Sequence, residues 1–155
     1  MQNAATAAPR IRKEKHVVRR SGTRRARVLL AEDDWAFRDT LLWNFEENGY
    51  EVVAVGSGTD LLAVLASSML PRSGVKEFDL IVTDLRMPGW GLTGLEKLGD
   101  NPLLPPIVVV TAFGSDDVRQ RAKRAGAVAL LDKPFDLDEL AALADTLIAQ
   151  PHERR

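Results

Sequence analysis

Short apolar runs recur along the chain at Val28–Ala31, Val52–Val55, Leu80–Val82, Ile107–Val110 and Val128–Leu131. They are apolar at consecutive positions rather than at every second one. That pattern predicts strands covered on both faces, as in a parallel sheet. Between the runs, apolar residues fall at helical spacing. Phe37, Leu41, Leu42 and Phe45 share one face of a first helix that starts after Asp33-Asp34 and closes at Gly49. Leu61, Leu62 and Leu65 mark a second helix begun near Thr59, and Leu92, Leu95 and Leu98 a short third. Val118, Ala122 and Ala125 line a fourth, between a Ser115 N-cap and a Gly126 stop. Leu137, Leu140, Ala144, Leu147 and Ile148 line a fifth, with Asp136 as N-cap. The helix leucines are assigned to the core, and Trp35 and Trp43 are expected to pack beside the first helix. Ser67 to Glu77, containing Pro71 and Gly74, reads as a long loop.

Five strand–helix units in succession predict an α/β fold, and right-handed crossovers place helices on both faces of the sheet. The expected architecture is a flavodoxin-like (βα)5, doubly wound, parallel five-stranded sheet with strand order 2-1-3-4-5. At 155 residues the chain has room for one such core. Charge divides it further. Residues 1–27 carry nine Lys/Arg against one Glu, a net +8. The whole chain holds 21 basic and 22 acidic residues, so the remainder, with twelve basic and 21 acidic, is −9. Residues 1–26 therefore read as a basic, disordered arm, 27–149 as the folded domain and 150–155 as a tail. The arm is first a solvated tail, and second a candidate contact to nucleic acid or an acidic surface. With no cysteine there is neither a disulfide framework nor a thiolate metal site. No apolar stretch approaches the roughly 18 residues of a membrane span, and a cytoplasmic protein is expected.

Polar residues gather where the strands end: Glu32, Asp33 and Asp34 after the first, Asp84 after the third, Thr111 at the fourth and Lys133 after the fifth. In open parallel sheets ligands sit beyond the carboxyl ends of the strands, where strand order reverses. The expected order puts that reversal between strands one and three and brings Glu32, Asp33 and Asp84 together. Carboxylates so close either share protons or hold a cation. All-oxygen ligation without His or Cys favours Mg²⁺. Lys133 adds positive charge on the opposite side and Thr111 a hydroxyl donor. Together they describe a site for a group of charge about −2, approached by a carboxylate nucleophile.

Val28-Leu-Leu-Ala-Glu-Asp-Asp34, Asp79-Leu-Ile-Val-Thr-Asp-Leu-Arg-Met-Pro-Gly89, Ile107-Val-Val-Val-Thr-Ala112 and Gly126-Ala-Val-Ala-Leu-Leu-Asp-Lys-Pro-Phe135 stand in this order. The set resembles the receiver domains of two-component response regulators, across about residues 27–149. The resemblance implies that Asp84 is the phosphoacceptor, and that Glu32, Asp33, Asp84 and the Arg86 backbone carbonyl bind Mg²⁺. It makes Thr111 the switch hydroxyl and Lys133 the phosphate-contacting lysine, with a cis Lys133-Pro134 bond. It also implies a donor: a sensor histidine kinase or a phosphotransfer protein carrying phosphohistidine. Both histidines here, His16 and His152, lie in the tails, so the chain reads as acceptor and not kinase.

Several positions depart from the family. An aromatic residue commonly stands three places before the lysine, and Leu130 stands there instead. The loop Gly89-Trp-Gly-Leu-Thr-Gly94 is longer than the common one, with Trp90 as a lid or an exposed binding anchor. Arg86 and Phe113 occupy positions that tune dephosphorylation in the family. Asp34 is read as helix N-cap or outer carboxylate rather than metal ligand. Haloacid-dehalogenase-like phosphatases also use an aspartyl nucleophile, but they need a carboxylate where Arg86 stands. No phosphate-binding G-x-x-x-x-G-K-[ST] loop is present. The chain is thus expected to be a signalling switch that promotes its own phosphorylation and dephosphorylation, not an enzyme in the ordinary sense. The alternative is a phosphorylation-independent docking module with the same fold. A stand-alone regulator acting through a downstream protein or a homodimer is the simplest output. In the family such contacts use the fourth helix, fifth strand and fifth helix, here with Arg119, Lys123, Arg124 and Asp138-Glu139.

Overall fold

The apolar runs fold as five strands: β1 (Arg27–Ala31), β2 (Glu51–Val55), β3 (Leu80–Asp84), β4 (Ile107–Thr111) and β5 (Ala127–Asp132). They alternate with α1 (Trp35–Glu47), α2 (Gly58–Met69), α3 (Leu92–Leu98), α4 (Asp116–Arg124) and α5 (Leu137–Ala149). The computed structural model describes residues 24–70, 77–99 and 101–150. Every strand pair is parallel and the order is β2-β1-β3-β4-β5, as the sequence predicts.

Successive residues of a strand face opposite sides, so a run apolar at every position feeds two cores at once. On one side Leu29, Ile81 and Val109 pack with Leu61, Leu65, Leu95 and Ala122 of α2, α3 and α4. On the other, Val28, Leu30, Val82 and Val108 pack with Leu41 and Phe45 of α1 and Leu140 and Ile148 of α5. Each buried Val, Leu or Ile contributes about 1.5–3 kcal/mol through water exclusion. Two-sided burial holds throughout β1, β3 and β4. The expectation fails at the sheet edges. β2 is half-buried along its length and β5 leaves Val128 54% exposed, because each has a neighbouring strand on one side only.

Caps set the helix starts. Asp34 accepts the Phe37 N–H at 2.8 Å, Ser115 that of Val118 at 3.3 Å, and Asp136 that of Asp138 at 2.8 Å. Ser57 accepts the Asp60 N–H, and the second helix starts at Gly58, beside the expected Thr59. It also runs on to Met69, past the start expected for the long loop, and residues 71–76 of that loop lie outside the described residues.

The tryptophans correct the sequence reading. Trp35 and Trp43 do not pack: they are 71% and 62% exposed, on a face of α1 away from buried Leu41 and Phe45. Leu62 is likewise exposed. Trp90, expected as a lid or exposed anchor, is buried in the α2–α3 core, only 7% exposed. It fits because two glycines leave room. A Cβ on Gly58 would lie 2.6 Å from the Trp90 Cβ, and one on Gly94 would overlap the indole ring.

At the opposite end of the sheet from the strand C-termini, Arg24 donates to both oxygens of buried Asp79 at 2.9 Å, and the Arg27 N–H adds a third bond at 2.8 Å. Ala26 is fully buried. Arg24 and Ala26, residues of the expected arm, thus pack on the domain, whereas residues 1–23 and 151–155 lie outside the described residues. No helix among the described residues is long and apolar enough to cross a membrane.

Candidate functional site

The site is built where β1 and β3, neighbours in the sheet but not in sequence, present their C-terminal ends side by side. β1 delivers Glu32 and Asp33, and β3 ends on Asp84. One carboxylate oxygen from each of Glu32, Asp33 and Asp84 lies within 4.8 Å of the others. Glu32 and Asp84 are buried and Asp33 is exposed, so the cluster opens to solvent along one side. Glu32 is fixed from several directions. Its backbone N–H binds the Val55 carbonyl of β2, its Oε1 accepts the Asp34 N–H, and its carbonyl accepts the Arg38 guanidinium at 2.7 Å.

Lys133 closes the cluster. Its backbone N–H donates to the Thr111 carbonyl at 2.8 Å, extending the β4–β5 pairing, and the Lys133-Pro134 bond is cis as predicted. The ammonium donates to Glu32 Oε2 at 2.6 Å and to Asp84 Oδ2 at 2.7 Å. Rather than standing opposite the carboxylates, it bridges two of them, since buried carboxylates need a counter-charge. Burial works against the Lys133 charge, but the bonds and field of Asp84 and Glu32 outweigh it and raise its pKa above the ordinary lysine value. Burial also pushes the Glu32 carboxyl above its ordinary range, with Lys133 and the Asp34 N–H pulling it part of the way back.

The remaining predicted residues fall around this centre. The Arg86 N–H donates to Asp84 Oδ1 at 2.9 Å. Buried Thr111 accepts the Phe113 N–H on its hydroxyl oxygen at 3.3 Å. Asp34 caps α1, as expected, and its side chain is not among the three clustered carboxylates. Leu130 is half-buried on β5 and packs against the α2–α4 core. Two residues at the site escaped the sequence reading. The sequence places Phe37 only on the apolar face of the first helix and Phe135 only in a motif, yet the Phe37 ring lies under the Lys133 ammonium and meets Phe135 edge-on. The pairing joins α1 to the segment after β5, and helical periodicity carries no trace of it.

Fold and site together define a doubly wound α/β domain with an acidic cluster at its topological switch point. The response regulator receiver domain model matches residues 28–145, and the chain belongs to that family. Among curated proteins it is 33% identical over 128 residues to the transcriptional regulatory protein PdtaR of Mycobacterium tuberculosis, a match covering 82% of this chain and 58% of that protein. Among solved structures it resembles the receiver domain of Francisella response regulator 1452, with TM-score 0.69 and 27% identity, covering 79% of this chain and 96% of that one. It also resembles the chemotaxis response regulator CheY4 of Vibrio cholerae, with TM-score 0.66 and 26% identity, covering 79% and 98%.

Proposed function

We propose that Asp84 accepts a phosphoryl group from a phosphohistidine on a sensor kinase or phosphotransfer protein, with Mg²⁺ as helper, and that the acyl phosphate switches the chain between two conformers. The observation that carries this reading is the convergence of Glu32, Asp33, Asp84 and Lys133 at the strand ends. Three carboxylates without a nitrogen or sulfur ligand suit a hard divalent cation, and a small one that keeps several waters fits the open Asp33 side. Glu32, Asp33, Asp84 and the Arg86 backbone carbonyl would hold Mg²⁺, which when bound neutralises charge on the phosphoryl oxygens.

In the transfer an Asp84 carboxylate oxygen attacks phosphorus. The P–N bond breaks and its electron pair stays on the imidazole nitrogen. From its place beside Asp84, Lys133 donates to the transferred oxygens, and the Thr111 hydroxyl donates to the new anion. Thr111 and Lys133 are thereby the residues that register the added charge. Swinging the conformers from 1:99 to 99:1 takes about 5.5 kcal/mol of differential stabilisation, and a downstream protein or a second copy reads the result. Leu130 favours one other reading, a docking module indifferent to phosphate, because the aromatic readout position is aliphatic.

Intact mass after incubation with acetyl phosphate decides between them. One added phosphoryl group that requires Mg²⁺ and is lost in Asp84→Asn supports the switch. No uptake by the folded protein at any Mg²⁺ concentration supports the docking module.

A further inference from the structure

Lys133 has a third neighbour besides its two carboxylates. Its Nζ lies 4.5 Å from the centroid of the Phe37 ring. That ring meets Phe135 in an edge-to-face arrangement, centroids 5.9 Å apart and planes at 75°. Phe37 is itself held in the first turn of α1, where its N–H binds the Asp34 cap at 2.8 Å. Both rings are half-buried against the core shared by α1 and α5.

We propose that Phe37 is a positioning residue of the phosphoryl site: its ring holds the Lys133 ammonium against Glu32 and Asp84, where incoming phosphoryl oxygens must be met. The proposal rests on the reading of Asp84 as phosphoacceptor. A lysine head group is a compact charge on a flexible four-carbon stem, so nothing in the stem fixes where it points. Two of its N–H donors are taken by carboxylates. What borders the rest of the ammonium decides whether it stays. A third carboxylate there would compete with the arriving anion, and an aliphatic side chain would leave the ammonium to water. An aromatic face attracts the cation through its quadrupole without forming a directional bond that must later be broken. Edge-to-face packing on Phe135 limits the tilt of the ring, and the Asp34 cap limits the movement of its backbone. The ammonium is thus pre-aimed at no cost to its donors.

The test uses the full chain carrying Phe37→Leu or Phe37→Tyr, with acetyl phosphate at saturating Mg²⁺. Phe37→Leu is expected to slow the saturated phosphorylation rate about tenfold, with Phe37→Tyr within about twofold of wild type. The half-saturating acetyl phosphate concentration and the Mg²⁺ affinity stay unchanged in both, which separates aiming from binding. In the unphosphorylated protein, the Lys133 ε-methylene signal carries an upfield ring-current shift that Leu removes and Tyr keeps. A wild-type rate in Phe37→Leu overturns the proposal, as does an ε-methylene signal indifferent to the substitution. Phe37→Met poses the same question if the leucine variant does not fold. Failure of the wild type itself to load Asp84 strikes the phosphoacceptor reading instead, and the spectral comparison still decides whether the ring holds the ammonium.

Discussion

Arg86 and Phe113 meet beside the acidic cluster, the guanidinium carbon 3.8 Å from the ring centroid. Each is tied through its own N–H to a site residue, Arg86 to Asp84 and Phe113 to Thr111. The stacked pair therefore bridges Asp84 and Thr111, and on the proposed reading it shields the phosphoryl group from hydrolytic water. Phe113→Ala is expected to shorten the aspartyl-phosphate lifetime about tenfold, measured as phosphate release from protein loaded once. An unchanged lifetime would assign the stack to surface packing alone. Because Phe113 is 57% exposed, the same substitution is expected to change unfolding stability by no more than about 0.5 kcal/mol. The family resemblance singles out both positions, two places beyond Asp84 and Thr111. It did not reveal that the two side chains touch, since that depends on loops from different strands converging.

Among the elements, the α2–α3 contact is set by Trp90. An exposed Gly→Ala change inside a helix normally stabilises by about 1 kcal/mol. At Gly94 the sign is expected to reverse, because the new Cβ would stand 2.8 Å from the indole Cδ2. Overpacking of this kind costs about 1–3 kcal/mol. Chemical denaturation of Gly94→Ala, alone and with Trp90→Leu, checks it: the leucine background should recover most of the loss specific to Gly94→Ala. Across the sheet, the Tyr50 hydroxyl donates to Asp145 of α5, and burial followed by this carboxylate raises the phenol pKa above its ordinary value. The folded state thus favours the neutral phenol. This contribution is complete below the unfolded phenol pKa of about 10 and is lost as pH rises above it. Tyr50→Phe should flatten that alkaline part of the stability profile, seen by comparing denaturation of the two proteins between neutral pH and about pH 11. All ten elements were legible as apolar periodicity, and three of the four side-chain caps as cap residues. Trp35, Trp43 and Trp90 were not legible, because burial of so large a ring depends on what faces it: for Trp90, two glycines from α2 and α3.

For the molecule as a whole, the acidic cluster places like charges within 4.8 Å of one another, offset by one ammonium. Mg²⁺ binding is therefore expected to stabilise the fold, by about 2.7 kcal/mol at a hundred times its dissociation constant. Thermal unfolding with and without Mg²⁺ checks this, and Asp33→Asn should lose most of the rise. The principal site residues could be found from sequence because strand order fixes which strand ends adjoin, and chemistry-bearing residues stand at those ends. What fills the space around them, Phe37 above all, could not, since it depends on side-chain direction across elements. The three tryptophans add a practical consequence. Two of them stand in water and the third in the dry core of the loop that begins at Asp84. A collisional quencher such as iodide will darken Trp35 and Trp43 and spare Trp90, leaving a blue-shifted emission that serves, without any label, as a resident optical probe of that loop.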